Sequence, residues 1–184
     1  MTDQPREPAA ERVIKSERKY EGKIANLRVD TVELPSGRTA VREIVEHEPV
    51  VAIVPIDANG NVILVRQFRL AIGEVMLEVP AGGVDHGEAF NHAAQRELSE
   101  EIGMRAGRME QIGDFYVSPG FMTERIIVFL ARELREERAP ADEDEDIAVV
   151  TMPLAEAIAM VERGEFHDAK SIAGLLLAER HLRS

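Results

Sequence analysis

The N-terminal part of the chain shows short runs of alternating apolar and polar residues, a pattern typical of half-buried β-strands. The alternation runs from Glu17 to Val45 and is interrupted by the turn sequence LPSG at residues 34–37. We therefore predict a small set of antiparallel hairpins in this region. Residues 1 to about 12 are polar and show no periodicity, so we expect a loose tail there.

Two continuous apolar runs follow, VVAIVPID at residues 50–57 and VILVRQFR at residues 62–69. Runs of this length predict buried strands. The turn residues ANGN between them predict that the two strands form a hairpin. A third run, EVMLEVPAGG at residues 74–83, predicts another strand that leads into a glycine-rich turn.

The rest of the chain mixes helical and strand patterns. A helical period runs from about Glu88 to Ile102 and ends at Gly103, because glycine is favoured just after a helix. The later predicted elements are a strand (126–134), an acidic loop (139–146), a strand (147–154) and two amphipathic helices (154–166 and 169–182). This order predicts an α+β fold containing an α/β/α layered domain.

Composition restricts the chemistry of the protein. The chain has 184 residues, of which 45% are hydrophobic, and this is enough for a globular domain with a buried core. The formal net charge of −12 gives no general attraction for nucleic acids or anionic membranes. A phosphorylated ligand would therefore need a metal cation or a local arginine cluster.

Cysteine is absent, which excludes disulfides, thiolate nucleophiles and cysteine-ligated zinc sites. The N-terminus does not resemble a signal peptide, and no apolar run approaches the roughly 20 residues of a membrane span. We expect a soluble, cytoplasmic protein that has neither nucleic acid nor a membrane as a partner.

The helix predicted before Gly103 carries carboxylates where a helix normally avoids them. Its apolar stripe is formed by Phe90, Ala94, Leu98 and Ile102. Glu97 and Glu101 lie four residues apart, inside or at the edge of that stripe, so their charges repel. The helix dipole also disfavours anions near its C-terminus, and burial of either glutamate alone would be costly.

A divalent cation would reverse all three penalties on this helix. Hard oxygen ligands in a chain without cysteine favour Mg²⁺ or Mn²⁺ over zinc. The alternative is a solvated acidic face in which Arg96 pairs with neighbouring glutamates. We disfavour that alternative for Glu97 and Glu101, because both lie on the apolar stripe.

The 23 residues from Gly82 to Met104 also match a longer pattern. Its positions are Gly82, five residues, Glu88, seven residues, Arg96-Glu97-Leu98, one residue, Glu100-Glu101, one residue, Gly103 and Met104. This pattern resembles the complete Nudix box, which belongs to hydrolases that hold divalent metal on a glutamate-rich helix. Members of that family cleave a nucleoside diphosphate linked to another group.

Segments outside the box resemble the ADP-ribose pyrophosphatase branch of the Nudix family. They are REIVEH (42–47), VRQFR (65–69), LEVPAGG (77–83), SPGF (118–121) and DEDE (142–145). The resemblance implies a Nudix α/β/α sandwich with a mixed sheet at residues 46–184, preceded at residues 1–45 by a tail and a small antiparallel β-domain. In this branch the N-terminal domain is swapped between subunits, so a homodimer is expected.

The resemblance also implies roles for the box residues. By box position, Glu97 and Glu101 are metal ligands, Glu100 is a third ligand, and the backbone carbonyl of Ala81 is a further one. Glu101 and Arg96 are also counted among the catalytic residues. We expect Arg96 to orient the box glutamates rather than to contact phosphate, because a paired guanidinium would fix the helix face.

The acidic loop is where relatives carry the base that activates water. Glu143 and Glu145 both match acidic positions of that family loop. We favour Glu143 as the base and Glu145 as a metal ligand or alternative base, and the sequence leaves both assignments open.

Substrate contacts are implied at several further positions. Arg42 and Arg69 match substrate-binding arginines of the branch, and arginine suits both phosphate and base stacking. An ordinary strand-edge salt bridge is the alternative for each. The other candidates are Glu124 beside the ribose or the attacking water, Ser118, Gly120 and Phe121 as pocket residues, and Ile24 or Tyr20 near the nucleobase. The EGKIANL segment at residues 21–27 has no aromatic residue, so strict adenine specificity is not implied.

The function implied by the resemblance is Mg²⁺- or Mn²⁺-dependent hydrolysis of ADP-ribose to AMP and ribose 5-phosphate. One alternative is hydrolysis of other nucleoside diphosphate sugars such as GDP-mannose. Another is a non-catalytic ADP-ribose sensor built on the same fold. The complete box and the lack of a basic helix-turn-helix pattern argue against the sensor.

Overall fold

The structure, a computed structural model, describes residues 7–137 and 146–183. The strands are β1 (Arg12–Glu21), β2 (Ala25–Glu33), β3 (Thr39–His47), β4 (Val50–Pro55), β5 (Asn61–Arg69), β6 (Glu74–Glu78), β7 (Ala81–Gly83), β8 (Met104–Tyr116), β9 (Arg125–Glu136) and β10 (Ala148–Pro153). The helices are α1 (Phe90–Ile102), α2 (Leu154–Glu162) and α3 (Ala169–Arg183). None of the helices in the described residues is long and apolar enough to cross a membrane.

The chain divides into two compact units. The first contains the described residues of Met1–Glu48 together with Ser118–Glu124. Its antiparallel sheet has the order β1-β2-β3, which matches the antiparallel hairpins predicted from the alternation. The sequence-based division at residue 45 left out Ser118–Glu124. That segment joins this unit because the backbone N–H and C=O groups of Val45 bond to residues 121 and 123.

The second unit contains Pro49–Val117 and the described residues of Arg125–Ser184. Its larger sheet has the order β7-β4-β9-β8, in which β4 and β9 are parallel and the other neighbours are antiparallel. This is the mixed sheet that was predicted. A smaller antiparallel sheet has the order β10-β5-β6.

Strand β4 forms the centre of a layered core. Its residues alternate between two faces, and all of Val51–Pro55 are buried. Val51 and Ile53 pack with α1, whereas Ala52 and Val54 pack with α2, α3 and strand β5. The two faces of one sheet are therefore covered on opposite sides, as expected for an α/β/α sandwich.

The predicted hairpin between β4 and β5 is wrong. The two strands belong to different sheets, and Ile56, the residue after β4, forms an isolated bridge with Val62 of β5. The edges of β4 are already occupied, because β7 pairs along one and β9 along the other. A turn signal such as ANGN reverses the chain, but it does not decide which strands pair.

Two other elements differ from the prediction. The run at residues 74–83 forms two strands in different sheets, β6 and β7, rather than one. Strand β8 was not predicted at all, because its sequence MRAGRMEQIGDFY mixes charges and glycines and shows no clear apolar alternation. Strand β8 forms because its backbone pairs along most of its length with the antiparallel strand β9.

Candidate active site

Helix α1 places two nearly buried glutamates beside the turn that precedes it. The helix is held against the larger sheet by Ala93, Ala94 and Leu98, which are fully buried. The Glu97 side chain is only 12% exposed and Glu101 only 9%. The helix ends at Gly103, whose left-handed backbone (φ 67°) allows its N–H to bond to helix carbonyls.

The turn at β7 is shaped around these glutamates. The backbone N–H of Ala81 donates a hydrogen bond to Oε2 of Glu101 at 3.2 Å. A Cβ atom added at Gly82 would lie 2.0 Å from Cδ of Glu97, so that carboxylate occupies the space a side chain at Gly82 would take. At the next residue, Gly83, an added Cβ would meet no atom within 4 Å. A side chain at position 82 would therefore displace the Glu97 carboxylate.

Arg96 connects three glutamates of this region. Its Nη1 donates to Oε1 of Glu97 at 2.6 Å and to Oε2 of Glu100 at 3.0 Å. Its Nη2 donates to Oε2 of Glu88 at 3.1 Å and to the carbonyl of Gly83 at 2.8 Å. The hydrogen bonds from Arg96 hold the pKa of Glu88 below its usual value, and Glu88 in turn raises the pKa of Arg96.

We call Glu88, Arg96, Glu97, Glu100 and Glu101 the box cluster. Four carboxylates and one guanidinium give it a formal charge of −3. No three histidine, aspartate or glutamate side chains within residues 7–137 and 146–183 converge as a ready-made metal cage. Glu97 and Glu100 are instead drawn to the arginine.

The chemistry of these donors nevertheless fits a hard divalent cation. All of them are carboxylate oxygens, and two are almost removed from water. Because Gly82 has no side chain, the Glu97 carboxylate lies against the residue that follows Ala81, whose carbonyl was predicted as a ligand. The structure thus gathers Ala81, Glu97, Glu100, Glu101 and Arg96 into one place.

A second charged cluster surrounds Arg69 in the same unit. Arg69 donates from Nε and Nη2 to the two oxygens of Glu78, at 2.7 and 2.8 Å. Glu78 is only 1% exposed and also pairs with Lys170, whose Nζ lies 2.9 Å from Asp168. Glu78 raises the pKa of Arg69, and the charge of Glu101 adds to that effect, so the two clusters are within electrostatic range.

Burial alone would raise the pKa of Glu78, but Arg69 and Lys170 more than offset it, and the pKa lies below its usual value. Sequence reasoning missed both Glu78 and Lys170. Lys170 lies in the predicted helix at residues 169–182 and Glu78 in the predicted strand at residues 74–83, and neither is predicted to have a role of its own. A usable signal was present, because Glu78 interrupts the apolar run MLEVP in the same way that Glu97 interrupts the stripe of α1.

The other predicted substrate contacts lie in the first unit. Arg42 on β3 forms an ion pair with Glu11, which is the strand-edge salt bridge considered as its alternative. Ile24 lies between β1 and β2 and is 72% exposed. In the segment after β8, Phe121 and Gly120 are exposed, and Ser118 and Glu124 are partly buried. Glu143 and Glu145 lie outside the described residues.

Comparison with known families bears directly on this site. The profile of the NUDIX domain matches residues 46–175, which include the whole box cluster. The chain belongs to the Nudix family. The profile of the nucleoside diphosphate sugar hydrolase N-terminal domain matches residues 11–45, just before the Nudix match.

Several relatives match this protein over most of its length. This chain is 42% identical to an ADP-ribose pyrophosphatase of Bacillus subtilis (strain 168), over 88% of each protein. It is also 42% identical to an ADP-ribose pyrophosphatase of Mycobacterium tuberculosis, over 89% of this chain and 80% of the relative. A GDP-mannose pyrophosphatase of Pectobacterium atrosepticum is 39% identical over 62% of this chain and 64% of that protein.

A solved structure supports the fold of this Nudix protein. The crystal structure of an ADP compounds hydrolase aligns with a TM-score of 0.88 and covers 97% of each chain. Its sequence identity to this chain is 24%, so this likeness shows the architecture alone. The α/β/α sandwich and the preceding antiparallel sheet, both implied by the resemblance to the ADP-ribose pyrophosphatase branch, are confirmed.

Proposed function

We propose that this Nudix protein is a divalent-metal-dependent pyrophosphatase that hydrolyses ADP-ribose to AMP and ribose 5-phosphate. The observation that carries the proposal is the box cluster. Two nearly buried glutamates, Glu97 and Glu101, lie beside the Ala81–Gly83 turn in a cluster with a charge of −3. Such an excess of buried negative charge is costly unless a cation neutralises it.

The residues that would hold the metal are Glu97, Glu101, Glu100 and the carbonyl of Ala81, with Glu145 as a further ligand. We propose Mg²⁺ or Mn²⁺, since both prefer oxygen ligands. When bound, such an ion neutralises the charge of a pyrophosphate and stabilises the charge that develops on its oxygens. Nudix hydrolases generally need a divalent metal, in agreement with this donor set.

The protein's own groups would then orient the reactants. Arg96 holds Glu97 and Glu100 in fixed positions through hydrogen bonds to both. Arg69 uses only Nε and Nη2 on Glu78, so donors on the outer edge of its guanidinium remain for an anionic group. We assign the proton-accepting role toward water to Glu143, with Glu145 as the alternative base.

The remaining substrate contacts are proposed in the first unit. Arg42 is assigned to the substrate, and binding there would require it to exchange its ion pair with Glu11. Ile24 is proposed for contact with the nucleobase, and Ser118, Gly120, Phe121 and Glu124 for the ribose side of the substrate. We also propose a homodimer in which residues 1–45 form a swapped domain and residues 46–184 form the Nudix domain.

Hydrolysis of GDP-mannose is the second candidate function. It is favoured by the similarity to a GDP-mannose pyrophosphatase and by the lack of an aromatic residue at positions 21–27. ADP-ribose is preferred because two relatives that cover 88% and 89% of this chain carry the name ADP-ribose pyrophosphatase, whereas the GDP-mannose pyrophosphatase matches 62% of it.

The test is a substrate panel with purified protein, Mg²⁺ or Mn²⁺, and either ADP-ribose or GDP-mannose. Nucleoside monophosphates are quantified by chromatography. We expect AMP to form faster than GMP and the reaction to stop when the metal is chelated. Glu97→Gln is expected to lower the rate by roughly 10²- to 10³-fold, because it removes one preorganised charge from the site.

Glu162→Gln on α2 is the matched control, since Glu162 is an exposed helical glutamate outside the box cluster. It should keep the wild-type rate. Faster release of GMP would move the protein to the second candidate function. Equal rates for Glu97→Gln and the control would contradict the metal site itself.

A further inference from the structure

We propose that Lys170 and Glu78 are positioning residues, which hold the Arg69 guanidinium in the orientation that receives the phosphate of the substrate. This role rests on the proposed function, because Arg69 is assigned there to an anionic substrate. Neither residue belongs to the Nudix box, and neither is placed in contact with the substrate.

The orientation of Arg69 is set by a buried carboxylate. Glu78 is 1% exposed, and each of its oxygens accepts one hydrogen bond from Arg69. A paired contact of this kind fixes the plane of the guanidinium as well as its position. The Arg69 side chain is still 40% exposed, and Nη1, which makes no bond to Glu78, is the donor that we propose for a ligand.

Lys170 fixes the carboxylate in turn. Its side chain is 13% exposed, and its Nζ contacts Oε2 of Glu78, the oxygen that also accepts from Nη2 of Arg69. The same Nζ lies 2.9 Å from Asp168. Lys170 thereby ties the carboxylate of β6 to the start of α3, and Glu78 has two cationic partners in a buried position.

The connection is completed by a ring of hydrogen bonds. Asp168 accepts from the backbone N–H and the hydroxyl of Ser171, at 3.0 and 2.5 Å. The Ser171 hydroxyl oxygen accepts from the backbone N–H of Val79 at 2.9 Å. Val79 follows Glu78 in the chain and lies two residues before Ala81. The ring therefore connects Glu78, which holds Arg69, to the turn that carries Ala81, whose carbonyl is the predicted metal ligand.

The amino-acid choice at position 170 agrees with a positioning role. A lysine that is almost buried costs free energy unless it is paired, and here it has two carboxylate partners. The Arg69, Lys170, Glu78 and Asp168 side chains have no net formal charge together. Such a balanced cluster can stay in place without a metal, so it can hold Arg69 in position before any ligand arrives.

The experiment compares Lys170→Met, Lys170→Arg and Arg163→Met in the full-length protein. Arg163 is the matched control, because it also bridges two carboxylates, those of Glu156 and Glu165, outside both clusters. Two properties are measured. The first is the pair of kinetic constants kcat and KM, each determined for the substrate that the wild type cleaves fastest. The second is the rate at which the Arg69 Nε–H exchanges with water, followed by ¹⁵N NMR. The Arg69 signal is assigned by its loss in Arg69→Lys.

Lys170→Met is expected to raise KM on the order of tenfold with a smaller change in kcat, since outer partners of a binding group typically have effects of this size. The Arg69 Nε–H should exchange faster with water, because Glu78 is no longer held on its second side. Lys170→Arg should restore most of both properties, and Arg163→Met should match the wild type.

Two outcomes overturn the positioning role. An unchanged KM in a folded Lys170→Met variant would show that the ring is only structural, whatever the Nε–H signal does. A raised KM with an unchanged Arg69 signal would show that Lys170 does not act through Arg69. Failure of the proposed function is recognised separately, because the wild type would then release no AMP from ADP-ribose while the Nε–H signal still reports on the contact between Arg69 and Glu78.

Discussion

Two clusters of this protein, one centred on Arg96 and one on Arg69, both pair a guanidinium with carboxylates but differ in net charge. In the box cluster one guanidinium serves three carboxylates, a fourth lies nearby, and the formal charge is −3. Around Arg69 two cations meet two carboxylates, and the charges balance. Both clusters lie in the second unit. The box cluster contains two nearly buried glutamates, Glu97 and Glu101, and the cluster around Arg69 contains one, Glu78.

The difference in charge separates a cluster that needs a ligand from one that does not. An unbalanced buried charge raises the free energy of the folded protein and is relieved when a cation binds. A balanced cluster gains nothing from a cation and can hold a neighbouring group in place. An excess of buried negative charge therefore indicates where a cation binds. A cluster with no net charge indicates where a side chain, here Arg69, is held in one orientation.

Among the variants that test this comparison, the largest effect is expected from a single methyl group added in the turn beside the box cluster. Gly82→Ala places a Cβ where the Glu97 carboxylate lies, so that carboxylate must move. A displacement of about 1 Å in a catalytic group can reduce a rate by about 10²-fold. The rate of metal-dependent hydrolysis should fall by that order while the melting temperature changes little.

The adjacent variant Gly83→Ala is the control, because its new Cβ would meet no atom within 4 Å. Its rate should stay close to that of the wild type. A Gly82→Ala enzyme with full activity would mean that the Glu97 position in this structure is not the active one.

A smaller effect is expected from breaking the ring that supports Arg69. Ser171→Ala removes the acceptor of the Val79 N–H, and both residues are buried. An unsatisfied buried N–H costs about 1–3 kcal/mol, so the free energy of unfolding should fall by that amount in a urea titration. The exposed Ser36→Ala should leave it unchanged. Equal stability of the two variants would contradict a structural role for the ring.

The smallest effect is a dependence of stability on pH that arises from Glu78. Its pKa in the folded protein lies below the ordinary value of 4.5, so the unfolded chain binds the proton more readily. The stabilisation is fully present above about pH 4.5 and is lost as the pH falls toward the folded pKa. The stability gap between wild type and Glu78→Gln should therefore narrow from pH 7 to about pH 3.5. A constant gap would show that the charge of Glu78 contributes nothing.

Much of the candidate site could be predicted from the sequence because its residues are close together along the chain. Glu97 and Glu101 are four residues apart on one helix, so the helical period alone brings their side chains together. The layered fold could likewise be predicted from the order of apolar runs, helices and turns. These inferences depend on local geometry, which the sequence expresses directly.

What could not be predicted depends on contacts between distant residues. The parallel partner of β4 is β9, more than 70 residues later in the chain, and nothing in the run VVAIVP indicates it. Strand β8 has no clear period of its own and is defined by β9. The Glu78–Lys170 pair joins β6 to α3, and a buried charge in a sequence shows that a partner is needed without showing which residue it is.

The ring around Arg69 has a consequence for the order in which the protein becomes competent during synthesis. Lys170 and Ser171 each contact a residue added 92 positions earlier, at the end of β6 or just after it and before the Nudix box. A nascent chain on the ribosome thus carries every box glutamate well before it carries the groups that fix Arg69 and the Val79 backbone. The site acquires its final form only when the last helix has emerged and docked.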